Sequence, residues 1–169
     1  MSDLPLASPH PTKQIILVVD DEKAMVDLCA AILDQAGFSV LQATNSSEAL
    51  KIVKDQPGPI HLLLTDLVMH PPEFSLASGT NEFPYVHGHE LASRALRMRK
   101  DLRIILMSGN IAQELEGYGI RRQGLPFLPK PFEIQALVAL VRQTLQEPPL
   151  SIESLDPPKK LRVGDGWFD

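Results

Sequence analysis

Four apolar runs in this chain stop abruptly at polar residues, and no other feature constrains the fold as strongly. Ile15, Ile16, Leu17, Val18 and Val19 meet Asp20 and Asp21, while Leu62, Leu63, Leu64 and Thr65 meet Asp66. Residues 104–107 meet Ser108 and Gly109, and residues 125–128 lead into Pro129, Lys130 and Pro131. Runs that are apolar throughout, with no polar alternation, fit strands covered on both faces. Set side by side and parallel, they bring three carboxylates, a hydroxyl and an ammonium to one edge. In open α/β sheets that carboxyl edge is where ligands and chemistry sit.

The intervening segments read as helices. Met25, Leu28, Cys29, Ile32, Leu33 and Ala36 recur at three- and four-residue steps, and Gly37 stands where a helix stops. A short strand over residues 38–42 follows. Asn45, with Glu48 three residues on, resembles a capping pair before Ala49, Leu50, Ile52 and Val53, and Pro57, Gly58 and Pro59 end that helix. Residues 70–87 show no periodicity but hold Phe74, Phe83 and Tyr85; a stretch of that length inside a compact domain is uncommon and often functional. Gly88 opens a helix with Leu91, Ala92, Ala95, Leu96 and Met98 on one face. Residues 110–124 start as a helix around Ile111 and Leu115 and are weakened by Gly117 and Gly119, so a short, mobile element is expected. Ile134, Leu137, Val138, Val141 and Leu145 mark a strong last helix.

Strand then helix, repeated along the chain, predicts an α/β fold: a doubly wound five-stranded parallel sheet flanked by helices. The expected organisation is a flexible N-terminus over residues 1–12, one domain over 13–146 with an inserted loop at 70–87, and a tail over 147–169. The tail is proline-rich, ends near Trp167 and Phe168, and is too short for a domain of its own. Together with the initial methionine it is expected of a complete small protein.

Composition excludes several classes. A net charge of -5 over 169 residues disfavours a nucleic-acid binder. The one basic concentration, Arg94, Arg97, Arg99, Lys100 and Arg103, has helical spacing and reads as a solvated face. Cys29 is the single cysteine, so no internal disulfide forms, and it sits among core positions. No stretch has the roughly 20 apolar residues that cross a bilayer, and the N-terminus lacks a signal-peptide core. A cytoplasmic protein without membrane or nucleic-acid partners is expected.

Three carboxylates in one place repel unless a cation shares their charge. Mg2+ suits such a site, because it takes oxygen ligands from one or two carboxylates and a phosphate. Lys130 adds a fixed positive charge, and the Ser108 hydroxyl can bond another oxygen of the same ligand. Phosphoryl transfer depends chiefly on positioning and charge neutralisation, so these groups suit a phosphoryl acceptor. Asp66, alone at the end of its run, is the expected acceptor.

Val18, Val19, Asp20, Asp21 and Glu22, then Leu64, Thr65, Asp66, Leu67, Val68 and Met69, then Met107, Ser108 and Gly109, then Lys130, Pro131 and Phe132 resemble, in order, the signature blocks of the receiver domain of two-component response regulators. The likeness covers about residues 13–146, and the absence of an output domain makes it similar to the stand-alone chemotaxis regulators. It implies the flavodoxin-like receiver fold and phosphorylation of Asp66 by a histidine kinase or histidine phosphotransfer protein. It also implies Mg2+ held by Asp21, Asp66 and the Val68 backbone carbonyl, with Asp20 acting through water. Ser108 and Phe127 would be the switch pair, and the bond before Pro131 would be cis. The changed face would combine residues 110–124 with the fifth strand and last helix, serving an unknown downstream protein or a homodimer.

The chain departs from the pattern at two places. His70 follows Met69 where the family has proline, and residues 70–87 replace a short loop. Phe127 stands where tyrosine is commoner. Other readings are a receiver fold working as a phosphorylation-independent interaction module, and a haloacid-dehalogenase-like phosphatase, which needs a second acid where this chain has Val68. Asp20 and Asp21 could also simply cap the first helix. His70, His87 and His89, near Glu73 and Glu90, match no metal-ligand spacing and read as solvated loop histidines.

Overall fold

The computed structural model describes residues 12–71, 83–109 and 125–152. Five strands, β1 (Ile15–Val19), β2 (Ser39–Ala43), β3 (Leu62–Asp66), β4 (Arg103–Ser108) and β5 (Phe127–Pro129), form one parallel sheet in the order β2-β1-β3-β4-β5. The described helices are α1 (Lys23–Gln35), α2 (Ser46–Asp55), α3 (Gly88–Met98) and α4 (Ile134–Gln146). The N-terminal residues 1–11, Glu73, Phe74, residues 110–124 and Trp167 with Phe168, for which the sequence raises expectations, lie outside the described residues.

Strand alternation divides the core in two. Leu17, Val19, Leu63, Ile104 and Leu106 point to the layer with α2 and α3, while Ile16, Val18, Leu62, Leu64, Ile105 and Met107 point to the layer with α1 and α4. Every residue of β3 is buried, which explains why its run is apolar without alternation. Helix ends follow the local chemistry. The Asn45 carboxamide oxygen accepts from the Glu48 amide at 2.8 Å, and Gly37 and Gly58 take positive φ just beyond α1 and α2.

Two sets of expectations are corrected. Leu28, Met98 and Ile134, assigned by spacing to apolar helix faces, are 48%, 43% and 60% exposed. The reason is geometric: an apolar stripe wider than the sheet it covers leaves its flanking positions in solvent. The basic stretch is not a uniformly solvated face. Arg99 donates from Nε to the Val53 carbonyl and from its two terminal nitrogens to Gly58 and Gln56, at 2.6–2.7 Å, closing the carboxyl end of α2. Arg103 donates to the Glu147 carbonyl, and just past it Leu150 and Ile152 pack on the α2 and α3 side of the core. Among the described residues no helix is long and apolar enough to cross a membrane.

Candidate functional site

Register sets the site. β1 and β3 run together to Val19 and Thr65, and Asp66 pairs with Met107, so Asp20, Asp21, Asp66 and Ser108 all emerge at the carboxyl edge of the three central strands. β5 adds Lys130, whose amide donates to the Ser108 carbonyl at 2.8 Å. The Lys130–Pro131 bond is cis. One carboxylate oxygen from each of Asp20, Asp21 and Asp66 lies within 4.8 Å of the others.

Lys130 Nζ bonds Asp20 Oδ2 at 2.7 Å and lies 3.3 Å from Asp66 Oδ1. The Glu22 amide donates to Asp20 Oδ1 at 2.9 Å, so both oxygens of Asp20 already have protein donors. Glu22, not either aspartate, is the N-cap residue of α1, and its side chain makes no cap bond. Asp20 therefore braces the turn into α1 and the lysine together.

One ammonium among three carboxylates leaves the charge unbalanced. Burial, then the Asp20 charge, pushes the Asp66 carboxyl up to about 7, against the pull of Lys130. Burial likewise raises Asp20, opposed by its bonds to Lys130 and the Glu22 amide. Burial alone would lower the Lys130 ammonium, but its bond to Asp20 and the Asp66 charge hold it above the usual lysine value. Cys29 is buried below the site, and burial with the Asp20 charge pushes its thiol up to about 11, as suits inert core filling. Clustered hard oxygen donors with too little positive charge fit a divalent cation such as Mg2+.

Ser108 is buried, and Phe127 pairs with Leu106 two residues below it. By alternation both belong to the α2 and α3 side of the sheet. Val68 is half-buried two residues beyond the end of β3.

Both described ends of the long insertion touch this edge. On the outgoing side, the His70 amide donates to Asp21 Oδ2 at 3.0 Å. On the returning side, Ser46 Oγ accepts from the Val86 amide at 2.7 Å and donates to the Pro84 carbonyl at 3.2 Å. The His87 imidazole accepts from the Met69 amide through Nδ1 at 3.1 Å, and the Gly88 amide donates to the Leu67 carbonyl at 2.9 Å. A Cβ at Gly88 would collide with the Asp66 backbone, so glycine is required there for close approach. Sequence reasoning treated these residues as solvated histidines and a helix start. The one available signal was a glycine opening a helix directly after a long aperiodic stretch.

A doubly wound parallel sheet with an acidic cup and a lysine at its carboxyl edge belongs to the open α/β class whose ligand sites lie at the strand ends. The family model for the response regulator receiver domain matches residues 16–73. The receiver domain of the hybrid histidine kinase CckA is 30% identical, with 78% of this chain and 99% of that one covered and a TM-score of 0.59. The response regulator receiver protein CpdR of Brucella abortus is 29% identical over 130 residues, covering 77% of this chain and 95% of that protein. The DNA-binding transcriptional regulator NtrC of Azospirillum brasilense is 31% identical over 91% of this chain, which spans only 27% of that relative's length. This chain belongs to the receiver-domain family of two-component response regulators.

Proposed function

We propose that the chain is a phosphoacceptor switch of a two-component phosphorelay, with Asp66 taking a phosphoryl group from a histidine kinase or histidine phosphotransfer protein. The observation that carries this reading is the meeting of Asp20, Asp21 and Asp66 around Lys130 at the carboxyl edge of β1 and β3. One Asp66 oxygen attacks the phosphorus in line. The bond from phosphorus to the donor's imidazole nitrogen breaks, and its electron pair stays on that nitrogen. Lys130, already 3.3 Å from Asp66 Oδ1, balances charge on the new acyl phosphate.

Asp21, Asp66 and the Val68 carbonyl would hold Mg2+, with Asp20 reaching it through water because its own oxygens are bonded by Lys130 and the Glu22 amide. When bound, the ion supplies the positive charge that the acidic cup lacks and orients the phosphoryl oxygens. Phosphorylation adds acceptor oxygens beside Ser108; its hydroxyl and Phe127 then reposition, changing the affinity of the β5 and α4 side for a downstream protein. The chain catalyses only its own phosphorylation and dephosphorylation. A cytoplasmic setting belongs to this reading.

Incubation with acetyl phosphate and Mg2+, followed by intact-mass measurement, tests it. A single phosphoryl adduct that disappears in Asp66→Asn is expected. No adduct on the wild-type chain would overturn the reading in favour of a phosphorylation-independent interaction module, and sustained phosphomonoester turnover would favour a phosphatase.

A further inference from the structure

The insertion's returning limb does more than close a loop. His87 occupies the N-cap position of α3, where a side chain ordinarily accepts an amide of its own helix, yet it makes no such bond. Its Nδ1 instead reaches back 18 residues to the Met69 amide. That amide shares one peptide plane with the Val68 carbonyl. In a trans peptide the N–H and C=O point in opposite directions, so fixing the first fixes the second.

The neighbouring peptide groups are pinned as well. The Leu67 amide donates to the Met107 carbonyl at 2.8 Å, and the Leu67 carbonyl accepts from Gly88. Val68 thus lies between two fixed peptide units. The limb that delivers His87 is itself fastened: Val86 is bonded to Ser46, which is 2% exposed, and Phe83 and Val86 pack on the core.

We infer that His87 is a positioning residue for the acceptor site: through the Met69 amide it orients the Val68 carbonyl, the one cation ligand in the proposed set that no side chain supplies. This rests on the phosphoacceptor reading and extends it, because it makes residues of the insertion part of the site. The imidazole acts as a neutral acceptor at Nδ1, a role that an asparagine Oδ1 at the same branch position also fills.

The test is calorimetric titration of the full chain with MgCl2, together with acetyl phosphate phosphorylation at saturating Mg2+, on wild type, His87→Leu and His87→Asn. Losing an outer partner of a ligand weakens metal binding by about tenfold at the lower end. His87→Leu should show that loss, with a phosphorylation rate close to wild type once Mg2+ saturates and a cooperative thermal transition retained. His87→Asn should recover most of the affinity. Wild-type affinity in His87→Leu overturns the assignment, as does an equal loss in His87→Asn, which would mark the ring as packing only. A wild-type chain that neither binds Mg2+ nor accepts phosphate overturns the phosphoacceptor reading and this inference together, whereas a normal wild type beside an unaffected His87→Leu overturns this inference alone.

Discussion

The two edges of the sheet handle polar groups in opposite ways. At the amino edge three polar side chains are matched to backbone: Arg99 closes α2 through three carbonyls, Arg103 holds Glu147, and the His61 imidazole accepts the Ile15 amide at 2.8 Å. At the carboxyl edge one ammonium stands among three carboxylates, and burial, then the Asp20 charge, holds the Asp66 carboxyl up to about 7. The same strands therefore end in a satisfied rim and an unbalanced one. Local conflict retained at one edge of an otherwise consistent fold marks the place where ligand binding is selected over stability.

The sharpest way to break the contrast is to remove the acid at its centre. Asp66→Asn should abolish phosphoryl acceptance in the mass assay, yet above pH 7 the metal-free variant should melt no lower than wild type, because one of the mutually repelling charges is gone. A clear destabilisation would show that Lys130 had balanced the cup after all. At the other edge, Arg99→Ala should cost about 3 kcal/mol in urea unfolding, since it strips charge-assisted bonds from several carbonyls. Phosphorylation by acetyl phosphate should persist in this variant.

Cation and proton should substitute for each other at the carboxyl edge only. Mg2+ at about a hundred times its Kd should stabilise the fold by about 2.7 kcal/mol, an effect lost in Asp66→Asn. Without Mg2+, the folded Asp66 carboxyl titrates at about 7 and the unfolded one near 3.8. Between those values the native state holds a proton that the unfolded chain has released, so the Asp66 contribution to stability is full below about pH 4, falls as pH rises to about 7 and levels beyond. Asp20, also raised, acts in the same direction. Urea midpoints across pH 4–8, with and without Mg2+, measure this, and a rising profile would refute it. The smallest effect is expected at Leu28→Ala, under about 0.5 kcal/mol because the side chain is half in solvent, against about 2–5 kcal/mol for Leu33→Ala at a fully buried position of the same helix.

Much of this was legible in the chain because the strands are buried on both faces, which leaves an apolar run with a hard polar stop. The runs at Val19, Asp66 and Ser108 identify the sheet and the edge at once, and Asn45 with Glu48 marks the second helix. Helix spacing was less informative at the margins: it assigns Leu28 and Ile134 to a face but carries no record of how wide that face is. Arg99 was misread for a related reason, since its partners are carbonyls 41–46 residues earlier and backbone groups leave no sequence signal. The reading of His70 and His87 as solvated fails because His70 acts through its backbone amide on the Asp21 carboxylate and His87 through an acceptor nitrogen on the Met69 amide, neither of which ligand spacing reports.

Gly88 lies flush against the Asp66 backbone, and His70 is fastened to Asp21, so the chain leaves and re-enters the frame at two anchored points. Chain length between two such points weighs little on stability, since each doubling of a loop costs only about 0.6 kcal/mol in closure entropy. The Asp66 carboxylate can keep its address while the sequence between His70 and Phe83 is rewritten, so a lineage or an engineer could splice a recognition peptide there and leave His87 and its partners in place.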